Sequence, residues 1–498
     1  MTQGWLGRLA DFLLPPLFGA LATLGFAPFG WYGLTLLALV GLIALWWQVG
    51  PGRAAWRGWW FGLAHFATGL YWVFISVHVF GGGSVALGVV LVAVLAAVLA
   101  AFPALAGALA GACRRLPRVV WGLLLVPAAW LLCELLRAHV GTGFPWLSLG
   151  YSLIDAPVTD LAPIIGVYGL GALMVAAAGT IWLLFTGGVG ARSLAVILIC
   201  ATPVALWRMP PPTHWTQAVG KPMPVAILQG SVPQDQKWQP EKLEAFKQRY
   251  RELSASVQAR LVVWPEAAIP SYAALQKEYL NAIAARAARL GRTELVGILT
   301  FDPRTRQTYN AVLALGLAEG RYLKRHLVPF GEYFPVPEFV KGWFQGLNVN
   351  MHYGISSGAQ RQALIRVAGV PLGLSICFED AFPREIRKAL PKAQVLVNVT
   401  NDAWFADSTA PHQHLRIARM RALEAGRPLI RAANTGISAI IAPTGQVRMR
   451  TQQFRVTTLE AIVQPRSGAT PYVRYGELPL WAVSVVLTAL GLLISRLR

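Results

Sequence analysis

The sequence predicts two parts of different class: a polytopic α-helical membrane bundle of about eight spans, and an extramembrane α/β domain. Three observations predict this. Charge is scarce, 13% of 498 residues at a mean hydropathy of +0.49, where soluble domains carry about a quarter charged residues. The charge is also uneven. Residues 1–220 and 479–498 hold 11 of the 44 basic residues, all arginine, and only Asp11, Glu134, Asp155 and Asp160 of the 23 acids. Residues 221–478 hold the rest, and there short apolar runs alternate with amphipathic helical patterns.

A bilayer core needs roughly 20 apolar residues per helix, and slightly fewer where a bundle is thin. Runs at 10–27, 31–48, 54–79, 85–110, 118–137, 162–186, 191–208 and 479–495 meet that need. The membrane domain is therefore expected over 1–208 with seven spans. A linker at 209–220, within RMPPPTHWTQAVGKP (208–222), leads to the polar domain at 221–470, and the eighth span follows. The first run is read as a span and not a cleaved signal peptide, because no small-x-small site precedes the next run.

Arginines set the orientation. Arg8, Arg53 and Arg57, the Arg114/Arg115/Arg118 cluster, Arg192, Arg496 and Arg498 fall on one side of an eight-span arrangement. The connections 28–30 and 80–84 on the other side carry none, with Arg137 and Arg208 as exceptions at far helix ends. Both termini are thus expected in the cytoplasm and the polar domain outside, which in a Gram-negative host is the periplasm. The polar domain's 33 basic residues against 19 acids suit a surface facing anionic lipid headgroups. Nucleic acid is not an expected partner for a domain outside the cell.

Within that domain, PVAILQG (224–230), ARLVVWPE (259–266), ELVGILT (294–300), YNAVLALG (309–316), VPLGLSICFE (370–379) and AQVLVNVTND (393–402) read as buried strands. RPLIRAANT and ISAIIAPTG (427–445) read as a further pair. Helical patterns fall at 241–258, 272–291 and 414–426. Alternation of this kind indicates an α/β domain, and VWPE, CFED and TND lie at strand ends, where such folds carry their sites.

Four cysteines are present: Cys113, Cys133, Cys200 and Cys377. The first three lie in or beside spans and read as small apolar packing. Cys377 stands alone in the polar domain, at the end of PLGLSI and in front of Glu379 and Asp380. A lone thiol in an oxidising compartment suggests use. A cysteine nucleophile needs a base and a group to hold the oxyanion. His326, His352, His412 and His414 lack a comparable strand-end setting, and HQH (412–414) reads as the polar N-terminal face of a helix. No H-E-x-x-H, C-x-x-C or G-x-S-x-G occurs, so no metal or cofactor is expected.

Glu266 ends LVVWPE behind Trp264 and Pro265, an apolar setting that would lift a carboxylate towards base strength; taken alone, the position equally reads as a solvated strand-end carboxylate. Lys324 reads as one of a Lys-Arg pair on a loop. Glu332 follows it across a Pro-Phe-Gly turn that can fold it back towards Lys324, which would keep that cation charged and aimed.

Taken together, WPEAAIP (264–270), LKRHLVPFGEYFP (323–335) and ICFEDAF (376–382) resemble the Glu-Lys-Cys motifs of the nitrilase, or carbon–nitrogen hydrolase, superfamily. Eight spans around such a domain, with GFPWLSLGYS (143–152) in an outer loop, resemble its membrane-embedded apolipoprotein N-acyltransferase family over essentially the whole chain. The resemblance implies a nitrilase-like α-β-β-α sandwich in a bacterial inner membrane protein. It implies Glu266 as general base, Lys324 on the oxyanion side and Cys377 as nucleophile. Glu332, Glu379 and Phe378, where some members have Tyr, support catalysis; Trp238, Trp146 and Asn310 touch substrate or scaffold the site, as does TNDAWF (400–405). The implied partners are a phospholipid acyl donor, typically phosphatidylethanolamine, and a diacylated apolipoprotein acceptor.

Residues 336–349, VPEFVKGWFQGLNV, place Trp343 and Phe344 between glycines just after the Lys324–Glu332 loop. An amphipathic core helix is one reading; an apolar lid over the bilayer, adding Trp343 and Phe344 to the substrate site, is the preferred one. Trp146 and Tyr151 are expected to line the same entrance or to anchor the interface. The alternative enzyme is a membrane-anchored amidase or nitrilase using water. A transporter with an inactive sensor domain is disfavoured by the near absence of ionisable residues in the spans other than Glu134 and a few histidines.

Overall fold

The structure is a computed structural model that describes residues 2–334 and 354–497. The apolar stretch expected as a lid, with Trp343 and Phe344, and His352 lie outside the described residues. The chain divides into two compact units, one of residues 1–74, 86–211 and 475–498, the other of residues 75–85 and 212–474.

The first unit is helical: α1 (Thr2–Thr23), α2 (Tyr32–Trp46), α3 (Pro51–Gly69), α4 (Val85–Ala112), α5 (Val126–His139), α6 (Ala162–Thr186), α7 (Val189–Trp207) and the C-terminal helix Leu478–Leu497. Five segments are long and apolar enough to cross a membrane: Val85–Ala112, Arg118–His139, Pro157–Thr186, Val189–Trp207 and Leu478–Leu497. A bent pair, Pro51–Gly69 with Val73–Phe80, makes a sixth if taken as one span. Asp11–Thr23 and Tyr32–Trp46 are apolar but shorter. The run 54–79 is therefore not one straight helix. It stops at Gly69, where the indole of Trp72 donates to the Gly69 carbonyl at 3.1 Å.

Small residues let α3 and α4 touch. A Cβ on Gly58 would lie 2.3 Å from the Pro103 carbonyl oxygen, and one on Gly107 would lie 2.4 Å from that of Ala54. The unit also buries more charge than expected. Arg57 pairs with Asp11. Arg137 is no exposed helix-end charge: at 3% exposure it donates to the carbonyls of Phe144 and Trp146 and to the Ser148 hydroxyl. Glu134 accepts from the Leu149 amide at 2.9 Å. Together they tie down the loop after α5, whose backbone groups would otherwise be buried unbonded.

The second unit is an α-β-β-α sandwich. One sheet has the order β11 (Thr457–Val463), β1 (Met223–Gln229), β2 (Leu261–Val263), β3 (Thr293–Asp302), β4 (Gln307–Gly316), β5 (Gly320–Leu323), with β1, β2 and β3 parallel. The other has the order β10 (Val447–Arg450), β9 (Ala439–Ile441), β8 (Leu429–Ala433), β7 (Val395–Thr400), β6 (Val370–Ile376), with β6, β7 and β8 parallel.

Side-chain alternation explains why these strands read as unbroken apolar runs. In β1, Val225 and Ile227 pack between the sheets with Leu374, Val397 and Ile430. Ala226 and Leu228 face the other way, against Phe246 and Tyr250 of α8 (Leu243–Ala255) and Leu280 and Ile283 of α9 (Lys277–Arg289). The far side of the second sheet is covered by α10 (Ala410–Ala425) through Leu415, Ala418 and Ala422. A left-handed Gly426, φ 60°, stops α10 and returns its amide to the Ala422 and Leu423 carbonyls.

Candidate active site

Strand register brings the chemistry-bearing residues to one edge. Val399 of β7 pairs with Ile376 of β6, so Cys377 and Thr400 leave the sheet side by side. Cys377 turns at once into a short helical segment, Cys377–Ala381, with a backbone φ of 52°. This left-handed corner is unfavourable for a side chain with a Cβ. It aims the half-buried thiol away from the strand, and such strain is held only where the surroundings over-determine it.

Glu379 supplies much of that surrounding. Fully buried, it accepts from the Ile376 amide (2.7 Å), the Arg325 amide (2.7 Å), the His326 amide (3.1 Å) and the Tyr322 hydroxyl (2.9 Å). One carboxylate thus fastens the Cys377 turn to the segment that carries Lys324. Burial pushes its pKa up, opposed by these backbone donors. Phe378 rests in a ring cluster with Phe382 and His326, centroids 5.0 and 6.0 Å away.

Glu266 follows β2, where Ala267 adopts φ 42°. Gly297 of β3 makes room for this turn, since a Cβ there would stand 2.2 Å from the Pro265 carbonyl oxygen. The apolar surround expected from Trp264 is not what Glu266 meets. Trp264 stacks on Tyr250 at 4.9 Å and donates to Glu294. The Glu266 carboxylate instead receives the Asn310 amide nitrogen at 2.7 Å and the Asn401 backbone amide at 2.8 Å, with Lys324 Nζ 3.6 Å away.

Lys324, 1% exposed, leaves the end of β5 with its amide bonded to the Asn310 carbonyl. The Pro-Phe-Gly turn folds back, with Phe330 at φ 62° and the Glu332 amide on the Val328 carbonyl. Glu332 then meets Lys324 Nζ at 2.8 Å through one oxygen and the Val328 amide at 2.8 Å through the other. Burial works against the Lys324 charge, but Glu332, then Glu266 and Cys377, outweigh it and hold the lysine protonated. The Cys377 thiol is pushed well up, first by burial and then by Glu266, while Lys324 and a hydrogen bond with Thr400 oppose the shift. The thiol form is thus favoured, and a nucleophile of this kind needs a nearby base to take its proton.

Glu266, Lys324, Cys377, Glu332, Glu379 and Asn310 therefore meet in one site. Trp238 lies half-buried next to Lys237. Trp146 and Tyr151 do not belong to this unit. Each is 2% exposed within the helical unit, Trp146 against Trp72 at 5.5 Å, so neither stands as an interfacial anchor.

Two features escaped the sequence. Lys237, 2% exposed, donates to the Glu266 carbonyl oxygen at 3.1 Å; nothing in the sequence around it marks it as buried. His414 is not on a polar helix face. At 1% exposure its two ring nitrogens lie 2.8 Å from Asp380 and 2.8 Å from Asp402, and Arg431 bridges the same two acids. Among the described residues no group of three or more His, Cys, Asp or Glu side chains is arranged to hold a metal ion.

Comparison with known proteins fits both units. Residues 18–180 match the apolipoprotein N-acyltransferase N-terminal domain, and residues 224–472 match the carbon-nitrogen hydrolase family. The apolipoprotein N-acyltransferase of Methylococcus capsulatus is 40% identical over 96% of this chain and 95% of its own length. That of Nitrosomonas europaea is 38% identical over 99% and 97%. Among solved structures, the C. elegans NitFhit protein is similar at 19% identity and a TM-score of 0.39, covering 53% of this chain and 65% of that one. The chain belongs to the apolipoprotein N-acyltransferase family, with a carbon–nitrogen hydrolase domain as its α/β unit.

Proposed function

We propose that this chain moves an acyl group from a membrane phospholipid onto the N-terminal amine of diacylated lipoproteins, with Cys377 as the acyl carrier. The observation that carries the reading is a buried Glu266–Lys324–Cys377 constellation in a chain related along its length to proteins named for this reaction. Glu266 takes the Cys377 proton, and the sulfur attacks the sn-1 ester carbonyl, typically of phosphatidylethanolamine. A C–S bond forms, and the oxyanion is held by the Lys324 ammonium and a backbone N–H near Phe378. The ester C–O bond then breaks, Glu266 returns its proton to the departing lysophospholipid oxygen, and a thioester remains.

In the second half-reaction the α-amine of the S-diacylglyceryl cysteine attacks the thioester. Glu266 removes an amine proton, a C–N bond forms, the C–S bond breaks, and the thiolate recovers the proton. Water must be kept from the thioester between the two steps. Eight spans, with cytoplasmic termini and a periplasmic α/β unit in the inner membrane, would put the site beside both lipid substrates. In this scheme the 1–208 bundle and the 479–495 span form the membrane domain, and Trp238, Trp343 and Phe344 contact the acyl chains.

The test is to incubate the purified protein with labelled phospholipid and a diacylated lipopeptide. Triacylated peptide, together with an intact mass raised by one acyl group on Cys377 when the acceptor is withheld, is the expected result. Free fatty acid as the sole product would replace the transferase with a membrane-anchored hydrolase.

A further inference from the structure

Lys237 sits where no expected role accounts for it. Its ammonium is buried, yet among the described residues it makes one hydrogen bond, to the Glu266 carbonyl, from three available donors. Such a charge is costly to bury unless something nearby uses it. The charged and titratable groups that interact with it are Glu266 and Cys377, the pair between which a proton must move. Lys324 and Glu332 complete the set around Glu266.

The balance of charge is informative. With both lysines protonated, two cations face Glu266 and Glu332, and the site is neutral with the thiol intact. Passing the proton from Cys377 to Glu266 leaves two cations facing the thiolate and Glu332, so the site stays neutral throughout. Without the Lys237 charge, the same transfer would run in a buried site carrying a net negative charge, which disfavours any further anion. Lys324 alone cannot supply this compensation, because Glu332 already holds it at 2.8 Å.

We infer that Lys237 is a second cation of the site, whose charge stabilises the Cys377 thiolate as it forms. The inference deepens the proposed function by adding a residue to its first step. A purely structural lysine would do something else: it would brace the Glu266 turn through its hydrogen bond, which a neutral amine also makes. The two roles separate on titration. Burial lowers the Lys237 pKa to about 8, against the opposing pull of Glu266 and Cys377, so its charge is lost within an accessible range.

The experiment is alkylation of Cys377 by iodoacetamide in the purified full-length chain, followed by intact mass from pH 6 to 10. It needs neither lipid nor lipoprotein, so its outcome is independent of what the acyl donor and acceptor are. The rate in the unmodified protein is expected to rise with pH as the thiolate fraction grows, the thiol's own midpoint lying above this range, and to break downward near pH 8 as Lys237 discharges. Lys237→Met, its folding checked by thermal unfolding, is expected to lose that break and to alkylate at least tenfold more slowly at pH 7. A rate that climbs through pH 8 without a break in the unmodified protein overturns the inference, and this needs no variant to fold. So does a folded Lys237→Met that alkylates at the unmodified rate.

Discussion

Of the buried charge clusters in the α/β unit, the two on either side of the Cys377 turn differ in how fully their charges are answered. Behind the Cys377 turn, Asp380, Asp402, His414 and Arg431 form a closed set in which each acid meets both cations. In front of it, Glu266, Glu332, Lys324 and Lys237 also pair two acids with two cations, but looser. Lys324 stands 3.6 Å from Glu266, Lys237 makes a single hydrogen bond, and Asn310 Oδ1 has no partner among the described residues. The rear set can only hold shape. The front set has unspent donors, and in the proposed reaction Glu266 takes the proton of the thiol beside it. Arg431 Nε also lacks a partner among the described residues, so the contrast lies in how the charges are paired: similar residue types make a scaffold when every charge is matched closely and a reactive site when one is left loosely held.

Removing members of the front set should abolish chemistry and spare folding. Cys377→Ala should reduce acyl transfer to lipopeptide below detection, with the far-ultraviolet circular dichroism unchanged. Glu266→Gln should cost roughly 10²–10⁴-fold, the usual worth of a general base. Lys324→Met should cost about 10²–10³-fold through the lost oxyanion cation.

Breaking the rear set should do the reverse. Arg431→Met leaves Asp380 and Asp402 facing only His414, and should destabilise the α/β unit by about 3–5 kcal/mol, read as a lower midpoint in urea. A variant that stays fully stable yet loses activity would overturn the division between a structural rear set and a reactive front set.

A milder perturbation is pH. Burial and Arg431 oppose the His414 charge, but Asp380 and Asp402 outweigh them and lift its pKa to about 9. Burial opposes the Asp402 charge, but Arg431 and His414 hold its pKa down to about 2. A raised histidine stabilises fully below its unfolded value of about 6.5 and loses that contribution as pH climbs through 9. A lowered aspartate stabilises above about 3.9 and loses its contribution as pH falls through 2. Thermal stability of the α/β unit should therefore be greatest between about pH 4 and 6.5 and fall towards pH 9, and His414→Gln should flatten the alkaline decline. At the small end, Cys113→Ala in the helical unit should leave acyl transfer unchanged.

The strands were legible because both faces of β1, β6 and β7 are buried, which writes continuous apolar runs into the sequence. The short edge strands, β5 and β10, carry no such run and were not read. Glu266, Lys324, Glu332 and Cys377 were readable as motif positions, and the Pro-Phe-Gly turn announced the return of Glu332. Glu266's polar cradle was not, because Asn310 and the Asn401 amide reach it only through sheet register. Lys237 and His414 were missed for a related reason. Each carries a residue type common on surfaces, and only the tertiary path brings it inside. In the helical unit, eight apolar runs were visible, but apolarity runs unbroken through 54–79 and so gave no sign of the bend after Gly69.

The positive φ of Cys377 sets function and durability against each other at one residue. Glycine would adopt that corner without penalty, so Cys377→Gly should gain about 1 kcal/mol of stability over Cys377→Ala while both lack the thiol. At this corner a sturdier fold and a thiol are therefore alternatives. The cysteine's persistence at 377 then depends on demand for the reaction, with no help from the fold that displays it.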